Sequence, residues 1–199
     1  MNDVSIAYAR ELDQNDLLGP FRDRFVISDP SLIYLDGNSL GRLPRHTADH
    51  LETVIREQWG ERLIRSWNEG WYQQSSRLGK KIAQIIGAHP DEVILSDSTS
   101  VNLYKLAFRA LKIQEKRTEI ISDDMNFPSD LYILQGLIRQ FGDRHTLRLV
   151  KSSDGITTDI TELLRTISRR TALVSLSHVA YKSAYMYDLA KVTELAHMH

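Results

Sequence analysis

The run Ser96-Asp97-Ser98-Thr99-Ser100 sets four hydroxyl side chains and one carboxylate immediately ahead of a helical pattern. Hydroxyls, together with the free N–H groups of a helix start, are what a phosphate monoester needs, and the helix dipole favours its dianion. The run is neither a Walker loop nor a G-x-G-x-x-G turn, so nucleotide binding by those routes is unsupported. Without a ligand the same residues read as helix caps, a position that Ser, Thr and Asp dominate.

A second run, Asn126-Phe127-Pro128-Ser129-Asp130, also lies between a strand-like and a helix-like segment. The proline holds Phe127 extended, which would present its ring at a strand end for stacking on a planar ligand. The competing reading is a staple, with Phe127 packed under the helix and Ser129 or Asp130 as its cap. A third run places Ser177, His178, Tyr181, Lys182 and Ser183 after the apolar TALVSLS. Three polar strand ends of this kind would converge. Lys182 is the Schiff-base candidate by type, but nothing near it argues for the desolvation that lowers an amine pKa, so it reads as an exposed lysine on a connection.

Other polar pairs carry less. His46 and His50 have the i, i+4 spacing of a metal pair, yet no carboxylate-rich or third histidine segment joins them, so they read as a solvated helix face and no metal is assigned. Trp59, Trp67, Trp71 and Tyr72 read as core or subunit interface, with Trp67 the member placed to meet a substrate.

The elements that must position these runs follow from periodicity. Leu32–Asp36 reads as a short strand ended by the turn Asp36-Gly37-Asn38-Ser39. Leu51, Val54, Ile55 and Trp59 mark one helix, and Leu78, Ile82, Ile85 and Ile86 another that Gly87 closes. Strands are then expected at Val93–Leu95, Glu119–Ser122, Thr146–Val150 and Thr171–Ser177, the last apolar enough to be buried on both faces. Helical stripes follow at Leu103–Leu111, Leu131–Phe141, Leu163–Ile167 and Leu189–Ala196, the third opened by the capping pair Asp159 and Glu162. Alternation of this kind defines an α/β fold, with a mostly parallel sheet and helices on both faces. Ligands of such sheets bind at the carboxyl ends of the strands.

Composition narrows the function classes. Lys plus Arg number 25 against 26 Asp plus Glu, and no long basic run occurs, so nucleic acid is not an expected partner. There is no cysteine, which removes disulfides and thiolate chemistry and is compatible with a reducing compartment. The polar N-terminus has no signal-peptide core and no stretch is long enough to cross a bilayer, so a soluble, cytoplasmic protein is expected. No repeat or low-complexity linker divides the chain into independent domains. An N-terminal helical segment over 1–90 leads into an α/β part over 91–199.

Five runs, in order, carry a family resemblance: YLDGNSLGRLP (Tyr34–Pro44), LIRSWNEGW (Leu63–Trp71), LSDSTSVNLYKLA (Leu95–Ala107), NFPSDLYILQGL (Asn126–Leu137) and SLSHVAYKSAYMYDL (Ser175–Leu189). Together they resemble the bacterial kynureninases from about Tyr34 to the last residue. The resemblance implies a homodimeric fold-type I enzyme that uses pyridoxal 5'-phosphate, with a large domain of the aspartate aminotransferase type. It implies hydrolysis of L-kynurenine, or its 3-hydroxy form, to the corresponding anthranilate and L-alanine in tryptophan degradation. On the same basis Thr99 and Ser100 would contact the cofactor phosphate, Thr99 mainly through its backbone. Phe127 would stack on the pyridine ring, with Pro128, Ser129 and Asp130 completing the loop, and Ser177 would stand beside the cofactor. Ser39, Asn38 and Trp67 would line the substrate side.

The family's aspartate for the pyridinium nitrogen, its Schiff-base lysine and its carboxylate-binding arginine have no counterpart in the 199 residues. The large domain is therefore expected to be incomplete, with no catalytic residue of its own, and the chain alone inactive. Two other readings are a fold-type I relative such as a cysteine desulfurase-like lyase, against which NSLG, SWNEGW and FPSD speak together, and a non-catalytic remnant that persists as a scaffold.

Overall fold

The computed structural model describes residues 4–199. They form two compact units, one ending at Ile94 and the other beginning at Leu95.

The first unit is helical. Helix α1 (Ile6–Asn15) is capped by the Ser5 hydroxyl, which accepts from the Tyr8 N–H. After a 3-10 turn over Gly19–Arg24, helix α2 (Arg45–Thr53) runs on as a π-helix over Val54–Glu61. The SWNEGW run lies in a second π-helical stretch, Trp67–Trp71, kinked at Gly70 and leading into α3 (Tyr72–Ile86). Gly87 ends α3 in the left-handed conformation, at φ 72°, as a C-terminal glycine should. Two strands expected in this unit do not form. Leu32–Asp36 and Val93–Leu95 form no ladder, and Ile33, Leu35 and Ile94 are all at least 70% exposed. Alternating or apolar residues become a strand only where a neighbouring strand meets their N–H and C=O groups, and neither segment joins the sheet. The turn that follows does form, with the Ser39 N–H donating to the Asp36 carbonyl.

The second unit is the α/β layer. Helix α4 (Thr99–Ile113) precedes β1 (Glu119–Asp123), α5 (Pro128–Gln140), β2 (Thr146–Val150), α6 (Ile160–Thr166), β3 (Thr171–Val174) and α7 (Leu189–Met198). The three strands form a parallel sheet in the order β2-β1-β3. Successive residues of central β1 enter opposite cores. Ile120 packs with Ala107, Leu111, Leu134 and Leu137 of α4 and α5. Ile121 packs with Leu163, Ile167 and Val192 on the side of α6 and α7. That alternation is why one five-residue strand supports helices on both faces.

The last strand is shorter than the sequence suggests. Its ladder ends at Val174, although the Ser175 N–H still donates to the Ile121 carbonyl at 2.9 Å. Only Thr171 and Ala172 are buried, and Leu173–Ser177 are half-buried. At its amino end β1 is fixed by charge. The buried Glu119 carboxylate meets Arg148 of β2 at 3.2 Å and Arg170, just before β3, at 3.4 Å.

Candidate functional site

The carboxyl ends of β1 and β3 are tied together by one side chain, that of Asn126. It is buried, and its amide nitrogen donates to the Ser122 hydroxyl at 3.0 Å and to the Ser175 carbonyl at 3.5 Å. Its carbonyl oxygen accepts from the Phe127 N–H and from the Ser177 hydroxyl, each at 2.8 Å. Sequence reading included Asn126 in the loop but gave it no role. Its four partners come from β1, the start of α5 and the segment just beyond β3, and could not be paired by spacing alone.

Phe127 is the N-cap residue of α5, extended at φ −62° and ψ 133°, with Pro128 in the first helical turn. Proline is suited to that turn because its missing N–H has no helical partner to lose. The staple reading does not fit this geometry. The Phe127 ring is 48% exposed, and no side chain caps α5. Ser129 and Asp130 are half-buried in the first turn, their only mutual contact a 3.4 Å hydrogen bond. Asp130 there favours the helix dipole without capping it.

The segment after β3 folds back as a small hairpin. The Ala180 N–H donates to the Tyr185 carbonyl and the Tyr187 N–H to the His178 carbonyl. The hairpin presents Tyr181 against Phe127, and Lys182 is exposed beside the Tyr181 ring. Beneath it, Asp124, Met125, Ser152, Gly155, Tyr181 and Lys182 line a cleft of about 180 Å³. Deeper still, burial pushes the Asp123 carboxyl above the usual carboxylate range, against the opposing effect of hydrogen bonds from Tyr187 and the Met125 N–H. Burial likewise raises the Tyr187 phenol, whose hydroxyl lies 2.6 Å from that of Thr158.

The SDSTS run begins α4 as expected. Ser98 is the N-cap, its hydroxyl accepting from the Val101 N–H at 3.4 Å. Thr99 and Ser100 are the first two helical residues, one exposed and one half-buried. Asp97 takes a left-handed φ of 38°, which aspartate tolerates better than most residues. The Lys105 ammonium and the Ser96 hydroxyl bond its carboxylate and hold it below the usual range. The bonds of this run are local.

In the first unit Asn38 and Ser39 are exposed in the turn after Asp36, where the Ser39 hydroxyl donates to the Asp36 carboxylate at 2.8 Å. Trp67 is half exposed, its ring 5.6 Å from that of Tyr72. The aromatic group is not a core here, since Trp59 and Tyr72 are each at least 65% exposed. Gln58 organises its polar side: the Trp71 indole N–H donates to its side chain and the buried Ser66 hydroxyl to its carbonyl, both at 2.7 Å. His46 and His50 are exposed on α2. Among the described residues no group of three metal-binding side chains occurs.

A parallel sheet with helices on both faces and polar loops at its strand ends defines an α/β domain. Residues 33–199 match the class-V aminotransferase family, and the chain belongs to it. Proteins of this family work with pyridoxal 5'-phosphate. The chain is 44% identical over 191 residues to the kynureninase of Pseudomonas fluorescens. It is 43% identical over 191 residues to the kynureninases of Burkholderia mallei (strain SAVP1) and Burkholderia pseudomallei (strain K96243). Each alignment covers 94% of this chain and 44% of the relative, so the chain spans less than half the length of these relatives.

Proposed function

We propose that this chain is the N-terminal portion of a kynureninase. In that reading the whole enzyme uses water to split L-kynurenine, or its 3-hydroxy form, into the corresponding anthranilate and L-alanine. The observation that carries the proposal is the 44% identity to a kynureninase across 94% of the chain. The residues present suit the cofactor. Phe127 offers an exposed ring surface in the loop after β1, Ser177 a hydroxyl just beyond β3, and α4 a helix start where the N–H groups of Thr99 and Ser100 have no intrahelical partner to prevent their meeting a phosphate. Pyridoxal phosphate would supply the electron sink for breaking bonds at the amine-bearing carbon.

In this reading Thr99 and Ser100 bind the phosphate. Phe127 stacks on the ring, with Pro128, Ser129 and Asp130 shaping the loop, and Ser177 stands at the cofactor edge. Asn38, Ser39 and Trp67 take the substrate side. A cytoplasmic homodimer is the proposed assembly. No helix among the described residues is long and apolar enough to cross a membrane.

The test is incubation of the full-length protein, loaded with pyridoxal phosphate, with L-kynurenine. Anthranilate and alanine should appear in equal amounts. Absence of both from a folded, loaded sample would overturn the assignment.

A further inference from the structure

We propose that Asn126 is the positioning residue of the cofactor loop, holding the Phe127 ring and the Ser177 hydroxyl in a single arrangement so that neither shifts without the other. The proposal rests on the reading of Phe127 and Ser177 as cofactor contacts.

The carboxamide has two N–H donors and one oxygen with two lone pairs, and all four are engaged. The donors anchor it to the sheet, through the Ser122 hydroxyl of β1 and the Ser175 carbonyl just beyond β3. The acceptor holds the two groups that face outward. Phe127 has no side-chain cap at α5 to fix it, so its backbone direction is set by Pro128 on one side and by the bond to Asn126 on the other. Ser177 lies past the end of the β3 ladder, where strand pairing no longer dictates its rotamer. Its hydroxyl donates to Asn126 and thereby turns its lone pairs away from that bond. In a buried setting such a network is stiff when complete and costly when one member is lost. No other residue type reproduces it: aspartate keeps the acceptors but loses both donors, and alanine loses everything.

The experiment uses Asn126→Ala and Asn126→Asp in the full-length protein, each alone and combined with Phe127→Leu or Ser177→Ala. Three quantities are read: pyridoxal phosphate affinity by absorbance titration of the apo-protein, hydrogen exchange at the Phe127 amide, and melting temperature. Groups that orient a ligand-contacting residue commonly contribute about tenfold or more to affinity or activity, so Asn126→Ala should weaken binding by about tenfold and expose the Phe127 amide. Added to Phe127→Leu or Ser177→Ala, it should cost much less than that, because it acts through those residues. Should the alanine variant fail to fold, the aspartate variant keeps the side chain's volume and acceptors and loses only the anchoring donors, so its affinity loss should likewise shrink in the Phe127→Leu and Ser177→Ala backgrounds. Affinity losses that simply add, or a lowered melting temperature with unchanged affinity, would leave Asn126 a structural residue only. Failure of the unmodified protein to take up pyridoxal phosphate removes the cofactor reading itself and the proposal with it, and shows before any variant is made.

Discussion

The rings of Phe127 and Tyr181 meet edge to face, their centroids 4.9 Å apart and their planes at 68°. The first residue belongs to the loop after β1 and the second to the hairpin after β3. The contact therefore repeats, on the outside of the molecule, the connection that Asn126 makes within it.

Phe127→Leu roughly keeps volume, and such swaps usually cost under about 1.5 kcal/mol of stability. The aromatic contact with Tyr181 would be lost, a term of about 0.5–1.5 kcal/mol. The fold should therefore survive with a modestly lower melting temperature, while pyridoxal phosphate affinity falls. A shift in melting alone would remove this ring from the active site. Asp130→Ala is a useful companion. Because Asp130 does not cap α5, its loss should cost only the dipole term, about 0.3–1 kcal/mol.

Gly79 of α3 has no room for a side chain. A Cβ placed there would lie 2.1 Å from the Val93 carbonyl oxygen and 3.2 Å from the Ile94 Cα. Both are backbone atoms and cannot swing aside. Gly79→Ala should lower stability by about 1–3 kcal/mol despite the better helix propensity of alanine. Chemical denaturation would show it as a lower midpoint, and an unchanged midpoint would mean that the Val93 segment yields freely.

His145, just before β2, is buried with no hydrogen-bond partner for either ring nitrogen. Burial, aided by the neighbouring Arg144 charge, lowers its pKa from 6.5. The folded state thus disfavours the proton that the unfolded chain accepts. This contribution to stability is complete above about pH 6.5 and is lost as pH falls through the lower folded value. His145→Phe keeps a ring against Phe141, which His145 meets edge-on at 5.5 Å. The variant should lose less stability than the parent between about pH 7 and pH 5. Parallel pH curves for the two proteins would sink the idea.

Ala184, in the hairpin that carries Tyr181, has φ 59°. The left-handed conformation costs an L-residue about 1–2 kcal/mol, and glycine returns about 0.5–1 kcal/mol of this as chain entropy. Ala184→Gly should therefore stabilise the protein by about 0.5–1 kcal/mol. A lower melting temperature would show that the methyl group packs where the backbone argument gives it no role.

Most helices were legible because each carries its own signal, although α1 (Ile6–Asn15) was not legible in its polar sequence. Leu103–Leu111 and Leu131–Phe141 repeat at helical spacing, Ser98 and Asp159 announce helix starts, and Gly87 announces an end. The strands were legible only where another strand waits for them. Glu119–Ile121 is laddered on both sides, whereas Leu32–Asp36 and Val93–Leu95 carry comparable residues and join no sheet. The site divides in the same way. Phe127 and Ser177 stand out by type and place, but the asparagine joining them, and the tyrosine that touches the ring, depend on contacts made across β1 and β3. Local sequence cannot name such partners.

The hydrogen bond from Ser177 to Asn126 spans 51 residues of chain. Contacts of long sequence separation form late, since the entropy of closing the intervening loop is lost before the contact returns anything. The loop after β1 is therefore synthesised well before the groups that fix it. Until β3 has docked, Asn126 lacks its Ser175 and Ser177 partners, and Phe127 is oriented only by Pro128 and the local bond to Asn126. Competence to hold a ligand should accordingly emerge as one of the last events of folding, and a nascent chain halted between β2 and β3 would have most of its helices and no ordered site.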